Sequence, residues 1–575
     1  MRKFSSLPLS GQAYGPVDTD LHYYVPREDL VEQAYTQLVG ENPNKGGHYI
    51  TVWAPRQRGK SWVMQQTLQR LQKDARFDTV MLNLEDLRMQ PDVNKIVQTM
   101  AYEIIKELGL EEIRINNPVG TKDGLLGGAL NLLSYLPWRI RPQLSNFFAS
   151  ASLDQFHRLF EKETLNKPLI LILDEFDALN EEAISALAGV FRKIYLSRQY
   201  QTLKPFDQKK YLLHGVALIG VRSVLGIENK RGSPFNVQRS LYIPNLTKAE
   251  VKEMYQWYER ESGQQVEEAV IKRVYDETQG QPGIVSWFGE LLSETYNEHN
   301  PVITSHDFEI AYSAAVDALP NANIQNLISK ASQAPYQQLV LEMFQTREKI
   351  PFRYDNSDTN FLYMNGVVDQ EIVKSNKEIH RYLKFPCPFV QKRLFNYFSS
   401  SLFRYVGELH PPFEDLSEII SDNHLNIKEL MGLYERYLRQ NREWLFRNVP
   451  RRTTDLRIFE AVYHFNLYMY LSSFLQPRGG QVIPEFPTGN GQIDLIINLA
   501  GQKYGVEVKS YANETAYKKA IRQAADYGRK LELDNISLIF FIEVIDDANR
   551  QKYEVTTVDA ETGVKVEAIF VATSR

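Results

Sequence analysis

The chain has 575 residues, too many for one hydrophobic core, and a length of roughly 150 residues per domain indicates three or four domains. Its 43% hydrophobic and 24% charged residues are typical of a soluble globular protein, and the net charge of −5 excludes a general polyanion binder but not a local basic groove. The single cysteine, Cys387, excludes a disulfide framework and a cysteine zinc site. No secretory signal is recognisable, and the apolar run Leu125–Trp138 is too short to cross a membrane, so we expect a cytoplasmic protein with no membrane partner.

The first motif lies in a turn between an alternating apolar strand, which begins at His48, and an amphipathic helix. The residues that we expect to bind nucleotide there are Ala54, Pro55, Arg56, Gln57, Arg58, Gly59, Lys60, Ser61 and Trp62. Backbone N–H groups of such a turn hold phosphate oxygens, Gly59 permits close approach, Lys60 reaches the β- and γ-phosphates, and Ser61 ligates Mg²⁺. The strand before the turn and the helix after it favour this site over a chance Gly-Lys-Ser sequence.

A second strand is predicted at Asp78–Asp86, followed by a mostly helical stretch, Asp92–Leu165. The five apolar residues Leu169–Leu173 then suit a central parallel strand that is buried on both faces. Acids at the carboxyl end of such a strand lie beside the ligand crevice of an open α/β sheet. We expect Asp174 to hold Mg²⁺ through water and Glu175 to polarise the attacking water, the alternative being a helix cap.

These stretches resemble AAA-like P-loop ATPases related to the STAND group (signal-transduction ATPases with numerous domains). The matching stretches are GPVDTDLHYYVPRE near the start, APRQRGKS, LILILDEFDAL, SPFNVQRSLYIPNLTKAEV and DETQGQPGIVSWF. Gly280-Gln-Pro282 resembles the G-x-P element of a small helical domain, which implies that Pro282 contacts the nucleotide region and couples it to later domains. Ala54 departs from the family's first glycine, which narrows the conformations of the turn and bears on hydrolysis more than on binding.

Two further features follow the ATPase motifs. A fourth strand ends near Arg222, which is either a sensor of the γ-phosphate or a surface residue. Beyond Pro335 the pattern is helix, helix, a two-strand wing at Leu362–Val368 and Ile379–Phe385, and a closing helix, which resembles a winged-helix domain. Such domains often bind DNA, but this segment is not strongly basic, which favours a packing role.

The segment Tyr405–Val449 is predicted to be an amphipathic helical linker with an arginine-rich end. The arginines in this end and just after it are Arg436, Arg439, Arg442, Arg447, Arg451, Arg452 and Arg457. They form either a surface for nucleic-acid phosphates or a solvated helix face.

The last fifth of the chain begins with a mostly apolar helix, Leu456–Leu475, and continues as strand, strand, turn, strand, helix, strand. Glu507 and Lys509 are two residues apart on one strand and share a face, and Asp494 can lie beside them on the neighbouring strand. Burying two carboxylates and a lysine is costly without compensation. Mg²⁺ bound by Asp494 and Glu507 would supply this compensation. Lys509 would orient the metal-bound water or stabilise the charge that develops when the water attacks a phosphodiester.

This pattern resembles the PD-(D/E)xK nuclease superfamily over about 120 residues. The resemblance implies that Asp494 and Glu507-Val-Lys509 are catalytic, that Glu460 is the acid of the first core helix, and that Gln523 and Tyr527 have the Q-x-x-x-Y spacing of RecB-type members. Gln492-Ile493 replaces the proline that usually precedes the aspartate. Two alternatives stay open: a structural ion-pair network in an inactive nuclease fold, and an unrelated α/β domain.

The sequence therefore predicts an α/β multidomain protein in which a P-loop NTPase parallel sheet and helical and winged-helix domains precede a restriction-endonuclease-like α/β domain. The expected divisions are a lead segment (1–30), an AAA-like ATPase (31–245), a small helical domain (246–325), a winged helix (326–404), an arginine-rich linker (405–450) and a nuclease-like domain (451–575).

The expected function is an ATP-binding and hydrolysing switch that gates cleavage of DNA, in defence against foreign nucleic acid. ATP and Mg²⁺ serve the first site, Mg²⁺ or Mn²⁺ serves the second, and ATP binding can drive homo-oligomerisation. The alternative is a regulatory or DNA-processing ATPase whose nuclease-like domain binds DNA or a partner without cutting.

Overall fold

The computed structural model describes residues 2–4, 18–110, 152–201, 203–220, 239–345, 349–375, 378–421, 424–452, 458–486, 493–511 and 513–574. Its contacts divide the chain into two compact units. The first contains residues 1–10, 14–275 and 280–304, and the second contains residues 11–13, 276–279 and 305–575. The finer division into six parts stays a prediction.

The first unit is built on a parallel sheet with the strand order β2-β3-β4-β1-β5. Its strands are β1 (Tyr49–Trp53), β2 (Asp78–Asn83), β3 (Leu169–Asp174), β4 (Leu213–Gly220) and β5 (Arg239–Tyr242). Ile170 and Ile172 of β3 pack into one hydrophobic cluster and the alternating leucines of that strand into another, because helices cover both faces of the sheet. The predicted buried central strand is confirmed, and its acidic end shares an edge with the turn after β1.

Helices complete the first unit. They are α1 (Glu28–Val39), α2 (Lys60–Gln72), α3 (Val93–Glu107), α4 (Leu153–Phe156), α5 (Glu181–Tyr200), α6 (Lys248–Ser262), α7 (Glu268–Thr278) and α8 (Pro282–Glu290), with the short parallel pair β6 (Gln265–Val266) and β7 (Val302–Ile303). The last residues of α7 are counted in the second unit.

Arg198 of α5 is buried at the edge of the sheet opposite the phosphate turn. Its guanidinium donates to the backbone carbonyls of Gly47, Leu213 and His214 at 2.6–2.8 Å. A guanidinium stays charged at any accessible pH, so these carbonyls provide its stabilisation inside the unit.

The second unit begins with helices and a hairpin. The elements are α9 (Ser305–Asp317), α10 (Ala322–Ala331), α11 (Tyr336–Gln345), α12 (Ser357–Met364), β8 (Asp369–Ser375), β9 (Glu378–Lys384) and α13 (Pro388–Leu402). The predicted first wing strand, Leu362–Val368, is wrong: α12 runs to Met364, and Gly366 closes it with a φ of 78°. The apolar residues there are buried by helix packing, and the hairpin begins only at the polar Asp369.

The predicted linker is helical only in its second half. The short hairpin of β10 (Ile420–Ser421) and β11 (His424–Leu425) precedes α14 (Ile427–Leu445).

An aromatic core joins the helices α11 and α13 to the last part of the chain. It contains the rings of Phe344, Phe395, Phe465 and Phe486, whose centroids are 5.0–6.1 Å apart.

The C-terminal sheet has six strands in the order β12-β13-β14-β15-β17-β16. Its elements are α15 (Glu460–Leu475), β12 (Gln481–Glu485), β13 (Ile493–Leu499), β14 (Gln502–Ser510), α16 (Glu514–Lys530), β15 (Asn535–Ile542), α17 (Asp547–Tyr553), β16 (Thr556–Val558) and β17 (Lys565–Ala572). Strands β12, β13 and β14 are antiparallel neighbours, and β14, β15 and β17 run parallel. The predicted order of strand, strand, strand, helix, strand is confirmed. In the described part of the chain, no helix has the length and apolar character needed to cross a membrane.

Candidate functional sites

The turn between β1 and α2 has the conformation of a phosphate-binding loop. Gln57 and Gly59 have positive φ angles of 61° and 83°, and α2 begins at Lys60. A Cβ at Gly59 would have no described heavy atom within 4 Å, so glycine is needed here for its backbone conformation and not for space. The free N–H groups at the start of α2 make this turn a site for anionic oxygens.

The Lys60 side chain folds back over the turn. Its Nζ donates to the carbonyl oxygens of Ala54 at 3.1 Å and Pro55 at 3.3 Å. Burial lowers the pKa of Lys60 to about 8, although the charges of Asp177, Glu175 and Asp174 act in the opposite direction. The ammonium therefore lacks full compensation, which bound phosphate oxygens can provide.

Asp174 and Ser61 are brought together at the end of β3. The Asp174 carboxylate is buried and accepts the backbone N–H of Glu175 at 2.9 Å, and the nearby Ser61 hydroxyl favours its charged form. Burial raises the pKa of Asp174. A hydroxyl and a carboxylate side by side fit the oxygen preference of Mg²⁺, as the sequence predicts.

Glu175 and Asp177 add two further carboxylates at this edge. Glu175 has a φ of 52°, and its pKa is raised by burial and then by the charges of Asp177 and Asp174. A Cβ at Gly220, the last residue of β4, would lie only 2.7 Å from Asp177 Oδ1, which places this acid at the end of the neighbouring strand. Asp177 was not predicted as a site residue, although its place in Asp-Glu-Phe-Asp is a usable signal.

The other predicted nucleotide residues have different surroundings. Arg58 is buried and donates to the hydroxyl of Tyr242 at 3.0 Å. Trp62 donates to the carbonyl of Val25 at 3.4 Å, so the lead segment packs on the helix that follows the turn. The charge of Arg56 acts on both Lys60 and Glu175. Arg222 lies outside the described residues.

The residue that follows the G-x-P element packs against the phosphate loop. The carbonyl of Gly280 accepts the N–H of Leu246 at 2.8 Å, and a Cβ at Gly280 would overlap the Leu246 carbonyl. Pro282 is the first residue of α8, where proline suits the helix start. A Cβ at Gly283 would lie 2.5 Å from Gln57 Oε1, so the residue after the proline packs directly against the loop.

A row of three acids crosses the C-terminal sheet. Glu485 of β12 lies directly opposite Asp494 of β13, and Asp494 lies directly opposite Glu507 of β14. Directly opposite residues of antiparallel strands share a face of the sheet. We call Glu485, Asp494 and Glu507 the acid row. Glu485 was not predicted, because only the strand register reveals it. The side chain of Asp494 lies outside the described residues.

Lys509 lies at the buried end of the acid row. The side chains of Lys509 and Glu507 are 1% and 2% exposed and form an ion pair. Lys509 Nζ also donates to Oε1 of Gln523 on α16 at 2.9 Å. Three residues predicted from the nuclease-like pattern are thus in contact, in an environment that makes charged groups interact strongly.

Two other predicted residues have surroundings of a different kind. Glu460 is exposed and is the first residue of α15, where the positive end of the helix dipole stabilises a carboxylate. Tyr527 is buried in the hydrophobic cluster beneath α16. Within the described ranges, no set of three or more His, Cys, Asp and Glu side chains is arranged to hold a metal ion.

The arginine-rich segment is partly neutralised. Arg436 pairs with Glu414, and Arg439 pairs with Glu435 at 3.0 Å. Arg550 of α17 binds the same Glu435 at 2.9 Å. Glu414 therefore offsets the charge of Arg436, whereas Glu435 is shared by two arginines and offsets only one of them, so the positive charge that the segment offers to a phosphate backbone is only partly reduced. Arg457 lies outside the described residues.

Comparison with known families decides the class of the first unit. Residues 12–306, just over half of the chain, match the family described as AAA-like domain. The chain belongs to this family. For this AAA-like protein, membership supports nucleotide binding and ATP hydrolysis, with the Mg²⁺ that such sites usually take. The matched residues end before the acid row.

Solved structures similar to this AAA-like protein are ATPases or contain ATPase folds. They include the Aeropyrum pernix ORC1 protein in complex with DNA (14% identity, 66% of this chain and 95% of that chain, TM-score 0.30), a Walker-type ATPase of Pyrococcus abyssi (14%, 67% and 99%, 0.37) and Thermotoga maritima RuvB, a Holliday junction branch migration motor (12%, 62% and 92%, 0.30). At such identities and TM-scores they carry no argument about the activity of this chain. No curated protein sequence matches it.

Proposed function

We propose that this AAA-like protein is an ATP-controlled switch that gates a metal-dependent DNA nuclease in its C-terminal part. The observation that carries the proposal is the buried contact of Glu507, Lys509 and Gln523 beside the register position of Asp494. A buried lysine and buried carboxylates are costly for stability alone, and such groups concentrate at functional sites.

At the ATP site, each residue has a separate task. Lys60 binds the β- and γ-phosphates, while Ser61 and Asp174 hold Mg²⁺ directly or through water. Glu175, whose pKa is raised by burial, accepts a proton from the attacking water or orients it. Arg222 senses the γ-phosphate, and Pro282 with Gly283 passes the state of the loop to the rest of the chain.

At the nuclease-like site, the donors suit a hard divalent cation. Asp494 and Glu507 offer carboxylate oxygens from adjacent strands, a donor set that fits Mg²⁺ or Mn²⁺. When bound, such an ion supplies an activated water for attack on a phosphodiester. Lys509 would orient such a water or stabilise charge on the phosphate, and Gln523, which accepts a hydrogen bond from its ammonium, would hold it in position. Glu460 and Tyr527 complete the set that the nuclease resemblance implies.

DNA is the proposed substrate, and the role is defence against foreign nucleic acid. Exposed arginines of the arginine-rich segment, such as Arg447, would contact the phosphate backbone. ATP-dependent self-association belongs to the same proposal, because an arginine from a second copy can complete the ATP site.

A second candidate function is a binding module that does not cut. It is favoured by one observation: Lys509 already has two partners, Glu507 and Gln523, as expected of a structural network. In that case the C-terminal unit would bind DNA or a protein partner under control of ATP.

The test is cleavage of plasmid and linear DNA by the full-length protein with Mg²⁺ or Mn²⁺. We expect Lys509→Ala to lower the cleavage rate at least about 100-fold. Lys503→Ala, which changes an exposed lysine of the same strand, is the matched control and should cut like the unchanged protein. Equal cleavage by all three proteins would show a contaminant. Absence of cleavage with either metal would favour the binding module.

A further inference from the structure

Lys392 of α13 is a buried lysine that the proposed mechanism does not use. Its side chain is 2% exposed, and its Nζ lies 3.0 Å from Glu485 Oε1 and 3.5 Å from Glu277 Oε1. The Nζ is also 5.2 Å from the ring centre of Tyr312, whose hydroxyl donates to Glu277 at 2.6 Å. All four residues belong to the second unit. An ammonium is retained in such a place only where its partners are fixed.

The two carboxylates that share Lys392 come from segments with different roles. Glu485 is the last residue of β12 and the outer member of the acid row. Glu277 lies in the last turn of α7, three residues before Gly280 of the G-x-P element. Lys392 therefore pairs with Glu485, which lies beside the nuclease-like centre. It also pairs with Glu277, which lies on the segment that leads into the G-x-P element.

We propose that Glu485 is a positioning residue of the nuclease-like centre, that Lys392 fixes its orientation, and that Lys392 links it through Glu277 to the G-x-P segment. The inference rests on the proposed function. Glu485 lies opposite Asp494 in the strand register, a position from which its carboxylate would bind a water ligand of the metal that Asp494 and Glu507 would hold. Movement of Glu277 would change its electrostatic attraction to Lys392, and the position of Glu485 would change as a result.

Metal binding tests the positioning role without relying on cleavage. Mn²⁺ is titrated into full-length Asp174→Asn protein, in which the ATP-site metal is removed, and free Mn²⁺ is followed by electron paramagnetic resonance. We expect Glu485→Gln and Lys392→Met to weaken Mn²⁺ binding about tenfold or more, and Lys392→Arg to keep it. Lys349→Met is the matched control, because Lys349 forms an exposed ion pair with Glu371 in the same unit.

The outcomes separate this inference from the proposed function. If Glu507→Gln abolishes Mn²⁺ binding but Glu485→Gln does not change it, the positioning role is wrong and the metal site stands. If Glu507→Gln leaves Mn²⁺ binding intact, the proposed function itself fails. Circular dichroism shows whether each variant is folded. If Lys392→Met does not fold, Mn²⁺ binding by Glu485→Gln alone tests the positioning role.

Cleavage with and without ATP tests the link to the G-x-P segment. Glu277→Gln should keep Mn²⁺ binding within about twofold, because the ion pair between Glu485 and Lys392 remains. Cleavage by this variant should no longer respond to ATP, because the attraction between residue 277 and Lys392 is weakened. A nucleotide response equal to that of the unchanged protein would overturn the link.

Discussion

Nucleotide binding should be accompanied by proton uptake at alkaline pH, and the group responsible should be Lys60. In the free protein, burial lowers the pKa of this lysine to about 8. Phosphates placed on its ammonium favour the charged form and return the pKa to the ordinary lysine range of about 10.4 or higher. The free protein therefore loses this proton over a pH range in which the nucleotide complex still holds it.

The size of the effect follows from the two pKa values. At pH 9 about one tenth of Lys60 is protonated in the free protein, whereas nearly all of it is protonated in the nucleotide complex. Binding therefore takes up about 0.9 of a proton. At pH 7 the uptake falls to about 0.1 of a proton, because free Lys60 is already charged. The same linkage weakens nucleotide affinity by roughly tenfold for each pH unit between about 8 and 10.

Isothermal titration calorimetry measures this uptake directly. Binding enthalpies of ATP with Mg²⁺ are compared in two buffers of different ionisation enthalpy at pH 7 and pH 9. Lys60→Arg is the control, because a guanidinium stays protonated throughout and cannot report this change. Equal uptake at the two pH values, or the same uptake by Lys60→Arg at pH 9, would refute the reasoning.

Three further predictions concern packing. Arg198→Met removes the guanidinium that donates to three buried carbonyls and should lower the free energy of unfolding by at least about 3 kcal/mol in urea denaturation; an unchanged midpoint would contradict it. Gly280→Ala should lower the melting temperature more than Gly263→Ala, since both glycines have positive φ but only a Cβ at Gly280 overlaps a backbone carbonyl; equal shifts would exclude the clash. Gly283→Val should weaken ATP binding by displacing Gln57, and addition of Gln57→Ala should relieve this; additive effects in the double variant would count against the contact.

The ATP site was predictable because its signals are local. The apolar run that forms β3 and the Gly-Lys-Ser turn each carry their own structure, so strand, turn and helix appear where the sequence indicates. The wing was harder, because Leu362 and Val368 are buried by helix packing, and burial alone does not distinguish the end of a helix from a strand.

Long-range contacts explain what the sequence could not provide. Glu485 joins the acid row only through strand register, and Lys392 reaches it from a helix 93 residues earlier. The arginine-rich segment looked more basic than it is, because Glu414, which lies 22 residues before Arg436, pairs with that arginine. None of these pairings leaves a pattern in a single sequence.

The central claim is that the nucleotide state controls cleavage, and one measurement tests it most directly. DNA cleavage rates of the full-length protein are compared with ATP, with ADP and without nucleotide, alongside Lys60→Ala. We expect rates that differ between the ATP and ADP states of the unchanged protein and a single rate for Lys60→Ala in all three conditions. Cleavage at one rate in every nucleotide state, or an ATP response that survives in Lys60→Ala, would contradict it.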